Sequence, residues 1–322
     1  MSDGIANGPE RDRAGRGATR PTDIPARGWI AVLKRVRAEF RADNVTLLAA
    51  GVAFYAMLAL FPAIIAVVIV YSLVADPTQV ADQLGSFARS LPSGSGDLLI
   101  DQLRTAAASQ SKGLTIGLAI SLAAVLWSAA SGVQGLIRAL NTTYDERETR
   151  GYLKLRARAL LLTIAAIIGT ILAVGLIAAL PAVLRHLGLG SVAVIVASIL
   201  RWPLLALLVV LGLAVLYRYA PDRSDPRWRW VTPGAAVALV LWLLASAGFS
   251  LYVSNFGKYN QTYGALGAVI VLLLWLFLSA LVVLLGAEID AELERQTAVD
   301  TTTGPDRPMG QRDAHAADTI GD

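Results

Sequence analysis

The chain has no cysteine and only two histidines, His186 and His315, in 322 residues. Without cysteine there can be no disulfide, no thiolate nucleophile and no Cys-based metal site. Two isolated histidines do not supply the clustered imidazoles and carboxylates of a hydrolytic metal centre. No HExxH, GxSxG or phosphate-cradling Walker sequence occurs either. Charge is also scarce: Asp, Glu, Lys and Arg make up 16% of the residues, against roughly 25% in an average soluble domain. These shortages argue against a soluble-type catalytic site. The expectation is a protein that is not an enzyme and uses no cofactor or metal.

What the chain does have is apolar length. Hydrophobic residues make up 55% of it, and charge-free runs occupy 44–75, 113–137, 159–184, 202–217, 230–257 and 259–287. An α-helix needs about 20 residues to cross a hydrocarbon core of about 30 Å. Five of the runs meet that length. The fourth is cut short by Arg201, which reads as an interfacial guanidinium beside Trp202 and Pro203 on a helix of about 200–218. The fold class is therefore all-α: a polytopic membrane protein with six transmembrane helices.

Orientation follows from the basic residues. Twenty-two of the 28 Lys and Arg residues fall in 1–46, 138–158, 218–229 and the stretch after 288, which six spans place on one side with both termini. The positive-inside rule makes that side the cytoplasm, with both termini there. The net charge of +4 is mostly this topology signal and not a nucleic-acid footprint. The first 28 residues show no apolar core of the signal-peptide type. Residues 1–28 and 296–322 read as disordered cytoplasmic tails, and 29–295 as the membrane domain. Trp29, Val32 or Leu33, Val36 and Phe40 recur at helical spacing among Lys34, Arg35, Arg37 and Arg41, giving an amphipathic helix that lies on the inner leaflet or packs on the protein. The outer segment 75–112 reads as a helical hairpin broken at PSGSG.

Few polar groups are placed to meet a solute. No run has a charged residue near its centre, where ion-coupled transporters usually carry one; Arg201 and Glu288 come closest. Pro62 lies mid-run and should kink the first span, and Tyr55 is a neutral polar group on the same helix. Ser128, Ser131 and Gln134 add others in the second span, mostly of the kind that closes helix contacts. The inner loop RALNTTYDERETRGYLKLRAR contributes Arg138, Asn141 and Tyr144, and its basic residues could hold lipid phosphates at the inner leaflet. A turn rich in amides and tyrosines, with Asn255, Tyr259, Asn260 and Tyr263, precedes the last run. That run then ends abruptly in Glu288, Asp290, Glu292 and Glu294.

Four motifs in order, AAGVAFYAMLALFPAI (49–64), RALNTTYDERETRGYLKLR (138–156), LYRYAPD (216–222) and the long stretch 233–292, resemble the YihY/BrkB family of bacterial inner-membrane proteins, once described as ribonuclease BN. The likeness covers about residues 29–295. It implies six spans, cytoplasmic termini and a link to serum resistance, virulence and lipid A export, and it supplies no catalytic residue. The expected function is a transporter or flippase-like protein for an amphipathic envelope component such as a lipid. Membrane lipids are its expected partners. Substrate contacts are expected from Tyr55, Pro62, Arg138, Asn141, Tyr144, Asn255, Tyr259, Asn260, Tyr263 and Glu288. A cation/proton antiporter using Glu288 and Asp290, or a non-transporting envelope scaffold, are the alternatives.

Overall fold

The computed structural model describes residues 14–72, 116–179, 191–255 and 265–321. The expected outer hairpin at 75–112 lies outside them, as do Tyr259, Asn260 and Tyr263. The elements are α1 (Ala26–Ala42), α2 (Val45–Ser72), α3 (Ile116–Thr143), α4 (Tyr152–Val174, continued by a π-helical turn at Gly175–Ala179), α5 (Ser191–Tyr219), α6 (Trp228–Asn255), α7 (Ala265–Glu294) and the short α8 (His315–Asp318). Among the described residues there is no strand, only an isolated bridge between Pro226 and Thr302.

Among the described residues five helices are long and apolar enough to cross a membrane, and the number rises to six if α1 and the start of α2 count as one broken span bent by 64°. The chain is a multi-pass membrane protein. The bend falls at Asp43–Asn44, where Asn44 takes a left-handed backbone with φ 52. Asparagine tolerates that conformation better than most residues because its short amide can bond locally; here Nδ2 donates to the Ala42 carbonyl. α2 then runs on through Pro62. Two helix starts differ from expectation. α5 begins at Ser191 and continues past Arg201 and Pro203, because the Arg201 guanidinium rests over the Trp202 ring and does not interrupt the backbone. α4 begins at Tyr152, which turns Lys154, Arg156 and Arg158 from loop residues into helix residues.

α7 is the central helix: it packs along α6 and α2 and touches α1 and α3, while α2 pairs with α3, α3 with α4, and α5 with α6. Large apolar side chains such as Leu161, Ile168, Ile199, Leu244 and Leu251 point outward, whereas Ala49, Ala53, Ala130, Ala214, Ala235 and Ala287 fill the interior. That inversion is the membrane pattern, in which close helix approach depends on small residues and lipid covers the rest. α6 packs tightly on α7 around Gly234 and Gly286, and Tyr217 of α5 reaches the same point. A Cβ on Gly286 would stand 2.5 Å from the Tyr217 hydroxyl and 2.8 Å from Ala238 Cβ. α1 does not lie free on the membrane surface. Val32 and Val36 are buried against Trp230, Ile289 and Leu293, while Ile30 and Leu33 stay exposed.

The C-terminal segment corrects the sequence reading. Residues 296–321 are not a loose tail, since Gln296, Thr297, Thr301, Thr302, Ala316 and Ala317 are all fully buried. The segment docks through backbone hydrogen bonds to loops far away in sequence: Ala298 N–H to Arg16, Thr303 N–H to Asp225, and Arg227 N–H to Thr301. Low apolar content predicted disorder, but this segment is held by satisfied backbone groups and not by greasy side chains. Residues 14–28 are likewise anchored, with Ala18 and Ile24 buried.

Replacing Gly286 by Leu should lower the thermal unfolding temperature of the purified protein sharply, overpacking a tight site costing about 1–3 kcal/mol or more. Gly51→Ala, where nothing lies within 4 Å of the new methyl, should leave it unchanged or slightly raised.

Candidate functional site

The residues that could carry function cluster at one end of the bundle, where α2, α4 and α6 begin and α3, α5 and α7 finish. The acidic end of α7 organises it. Acids at every second position of a 3.6-residue helix alternate between faces: Glu288 and Glu292 look one way, Asp290 and Glu294 the other. All four are at most 1% exposed, and buried charge must be matched.

On the first face Glu292 accepts from Arg35 of α1 and from Arg295 at 2.7 Å. Arg35 also reaches Gln296, and Arg295 reaches Asp145 and Glu39. Glu288 is fully buried with its Oε2 unpartnered. On the second face Asp290 accepts from the Gly234 N–H at 2.7 Å. Glu294 accepts from Arg223 at 2.8 Å and from the Thr301 hydroxyl at 2.7 Å. Both members of the Arg223–Glu294 pair have fully buried side chains. The Arg223 guanidinium lies 4.1 Å from the centroid of the Tyr144 ring. Burial pushes the Tyr144 phenol well above its ordinary pKa. Burial opposes the Arg223 charge, but Glu294, Tyr144 and Glu146 together outweigh it and the arginine is held more firmly protonated than usual.

A second network staples the loops after α3 and α5. Asn141 donates to Glu148 at 2.8 Å and accepts from the Asp222 N–H at 2.8 Å. Asp222 accepts from the Thr149 N–H and hydroxyl, and Arg150 donates to Glu148 and to the Ala220 carbonyl. Burial works against both carboxylates, yet the hydrogen bonds from Arg150 and Asn141 to Glu148, and from Thr149 to Asp222, hold both below the usual range.

Three of the sequence-predicted residues, Asn141, Tyr144 and Glu288, thus meet at this closed polar end. Arg138 is exposed on α3, and Tyr55 is half-exposed with its ring against Gly135. Pro62 is half-buried in α2, well away along the helix, and Asn255 ends α6. Sequence reasoning missed Arg35, Arg223 and Arg295 as partners of the α7 acids. The signal was present in the alternate spacing of four acids at the end of an apolar helix, which demands buried cations. Among the described residues no group of three or more His, Asp or Glu side chains could hold a metal ion.

Next to the closed end there is open space. At the elbow between α1 and α2 a cavity of about 490 Å³ is bounded by Arg41, Asn44 and Thr46 on the polar side. Phe40, Leu47, Ala50 and Phe277 of α7 bound it on the apolar side.

Residues 36–310 match the family described as Virulence factor BrkB. The chain belongs to the BrkB family. Among curated relatives, the ribonuclease-like protein YfkH of Bacillus subtilis is 31% identical over 77% of this chain and 89% of its own. A UPF0761 membrane protein of Vibrio vulnificus is 27% identical over 83% and 84%, and one of Tolumonas auensis is 43% identical over 26% and 27%. No solved structure matches. In this BrkB-family chain the matched span takes in the second polar network, all of the first except Arg35, and most of the docked C-terminal segment.

The depressed Asp222 carboxylate makes a pH prediction. A lowered folded pKa adds stability that is complete above the ordinary value near ~4 and fades as pH falls through the depressed one. Asp222→Asn should therefore cost about 1.5–3 kcal/mol at neutral pH, as expected for lost hydrogen bonds to a charged group. The gap between variant and wild-type unfolding temperatures should close in strongly acidic buffer.

Proposed function

We propose that this BrkB-family protein resides in the bacterial inner membrane with its polar end and both termini in the cytoplasm, and that it moves an amphipathic, lipid-like envelope component. The elbow cavity carries the reading. It sits where the polar end gives way to the apolar belt, and its two walls differ in kind. Arg41, Asn44 and Thr46 can meet a head group, while Phe40, Leu47, Ala50 and Phe277 can meet a chain. A solute with a charged head and a greasy tail suits such a lining better than an ion or a sugar does. The orientation is supported by the concentration of Lys and Arg at this end.

The reading is non-enzymatic. The ribonuclease-like name belongs to YfkH, whereas here Glu292 and Glu294 are engaged in ion pairs and Asp290 in a backbone hydrogen bond. One observation favours a second reading, a cation/proton antiporter: Glu288 and Asp290 are buried, and each has one oxygen without a hydrogen-bond partner. Glu288→Gln with Asp290→Asn would abolish ion flux in that case and leave it unchanged in the first.

The direct test is lipid movement in reconstituted vesicles that carry a fluorescent phospholipid in the outer leaflet only. Wild-type protein should equilibrate the label between leaflets faster than protein-free vesicles do. Ala50→Trp, which fills the cavity, should return the rate to the protein-free value, and Gly51→Ala should not. Equilibration by wild type no faster than in protein-free vesicles would end the proposal.

A further inference from the structure

Among the described residues Arg156 has no counter-ion within 4 Å. It is 3% exposed, and its guanidinium donates to Ser131 Oγ and to Gln134 Oε1 at 3.3 Å each, and to the Trp127 backbone carbonyl. It also lies 4.2 Å from the centroid of the Trp127 ring. Every partner is neutral. The other arginines with buried side chains each have a carboxylate within 4 Å: Arg218 has Asp225, Arg223 has Glu294 and Arg312 has Asp300.

Its position is as unusual as its company. Arg156 belongs to the second turn of α4, yet its contacts fall at Trp127, Ser131 and Gln134, which are spaced i, i+4, i+7 along one face of α3. Trp127 precedes Arg138, the first charged residue of α3, by eleven positions. Gln134 and Ser131 precede Arg138 by four and seven, so at 1.5 Å per residue the contacts lie about 6–16 Å along the helix from it, inside a hydrocarbon core of about 30 Å. A long cation near a helix end normally turns its head toward water. Arg156 turns inward, and cations at such depth mark substrate or ion pathways.

Donors also outnumber acceptors at this point. Arg156 Nε and Gln134 Nε2 are both buried with no acceptor, and the Ser131 hydroxyl lies among them. On the lipid side the cluster is covered by the Trp127 indole, itself 45% exposed, and Ser131 is exposed. Two spare N–H groups, a hydroxyl and an uncompensated guanidinium form the donor set that a phosphate oxyanion accepts from.

The geometry points to a phosphate-binding site within the apolar belt between α3 and α4, formed by Arg156, Gln134 and Ser131, that takes the phosphoester head of an anionic lipid. Assigning the phosphate to a lipid rests on the transport reading above; the anion site itself does not. The Trp127 ring is the group an entering head must displace, so the site opens toward the bilayer and not toward the polar end.

The test measures binding and not movement, so its failure would leave the vesicle assay standing, and failure of that assay would leave this one standing. Purified full-length protein in detergent is titrated with phosphatidylglycerol, with phosphatidylcholine and with inorganic phosphate, and bound molecules are counted by native mass spectrometry. Wild type should retain phosphatidylglycerol in preference to phosphatidylcholine. Arg156→Gln should weaken phosphatidylglycerol binding by about tenfold or more, the order of a lost charge-assisted contact. Arg156→Lys should keep part of the preference. Gln134→Leu, which retains the cation and removes one spare donor, should reduce binding less than Arg156→Gln does, and its thermal unfolding reports that the bundle remains intact. Displacement of phosphatidylglycerol by inorganic phosphate at similar concentration would assign the site to free phosphate, and no displacement would assign it to the lipid. An unaltered preference in both Arg156→Gln and Gln134→Leu would overturn the site.

Discussion

Four carboxylates in the last two turns of α7 lose their water when this protein folds, and the polar end of the bundle is the arrangement that compensates three of them. Desolvating an ionised carboxylate costs several kcal/mol unless cations and hydrogen-bond donors replace the solvent. Alternation around the helix means that no single neighbour can do this. Arg35 comes from α1, the Gly234 N–H from α6, Arg223 from the loop after α5, and Thr301 from the C-terminal segment. One apolar helix with an acidic end therefore gathers segments from the whole chain. The docked C-terminal segment follows from the same requirement, since Thr301 supplies the second hydrogen bond to Glu294.

This requirement separates two environments along the bundle. At the polar end Glu292, Asp290 and Glu294 are matched and locked, and Tyr144 is sealed beneath Arg223. Below it the helices meet through alanine and glycine and show large apolar residues to lipid. Two places escape both patterns. The elbow between α1 and α2 leaves an amphipathic cavity, and Arg156 is a buried cation whose partners are all neutral. In a structure where the other buried arginines find a carboxylate, the exception is the more informative residue. Both places adjoin the bilayer, and both suit ligands that are part lipid and part anion.

Much of the fold was legible in the sequence. Charge-free runs of sufficient length placed the spans, since the hydrocarbon thickness sets a minimum that few other constraints imitate. The stripe of Trp29, Val32, Val36 and Phe40 identified α1, although periodicity alone could not decide whether lipid or α7 covers it. The tail at 296–321 was misread because its stability comes from backbone hydrogen bonds and short polar side chains, which composition does not report. Asn141, Tyr144 and Glu288 were found as polar residues in an apolar chain. Their partners Arg223 and Arg35 were hidden among arginines that the positive-inside rule already explained. Arg156 was hidden for the same reason: by sequence it belongs to a basic loop, and only the early start of α4 carries it into the membrane.

The central claim, that matched burial of the α7 acids holds the polar end together, is tested most directly by a double-mutant cycle on Arg223 and Glu294. Stability in detergent is compared for wild type, Arg223→Gln, Glu294→Gln and the double variant. Each single variant leaves an unmatched buried charge and should lose about 3–5 kcal/mol, with the double variant losing far less than the sum. Single losses below about 1 kcal/mol, the range of an exposed pair, or strictly additive losses in the double variant, would contradict the claim.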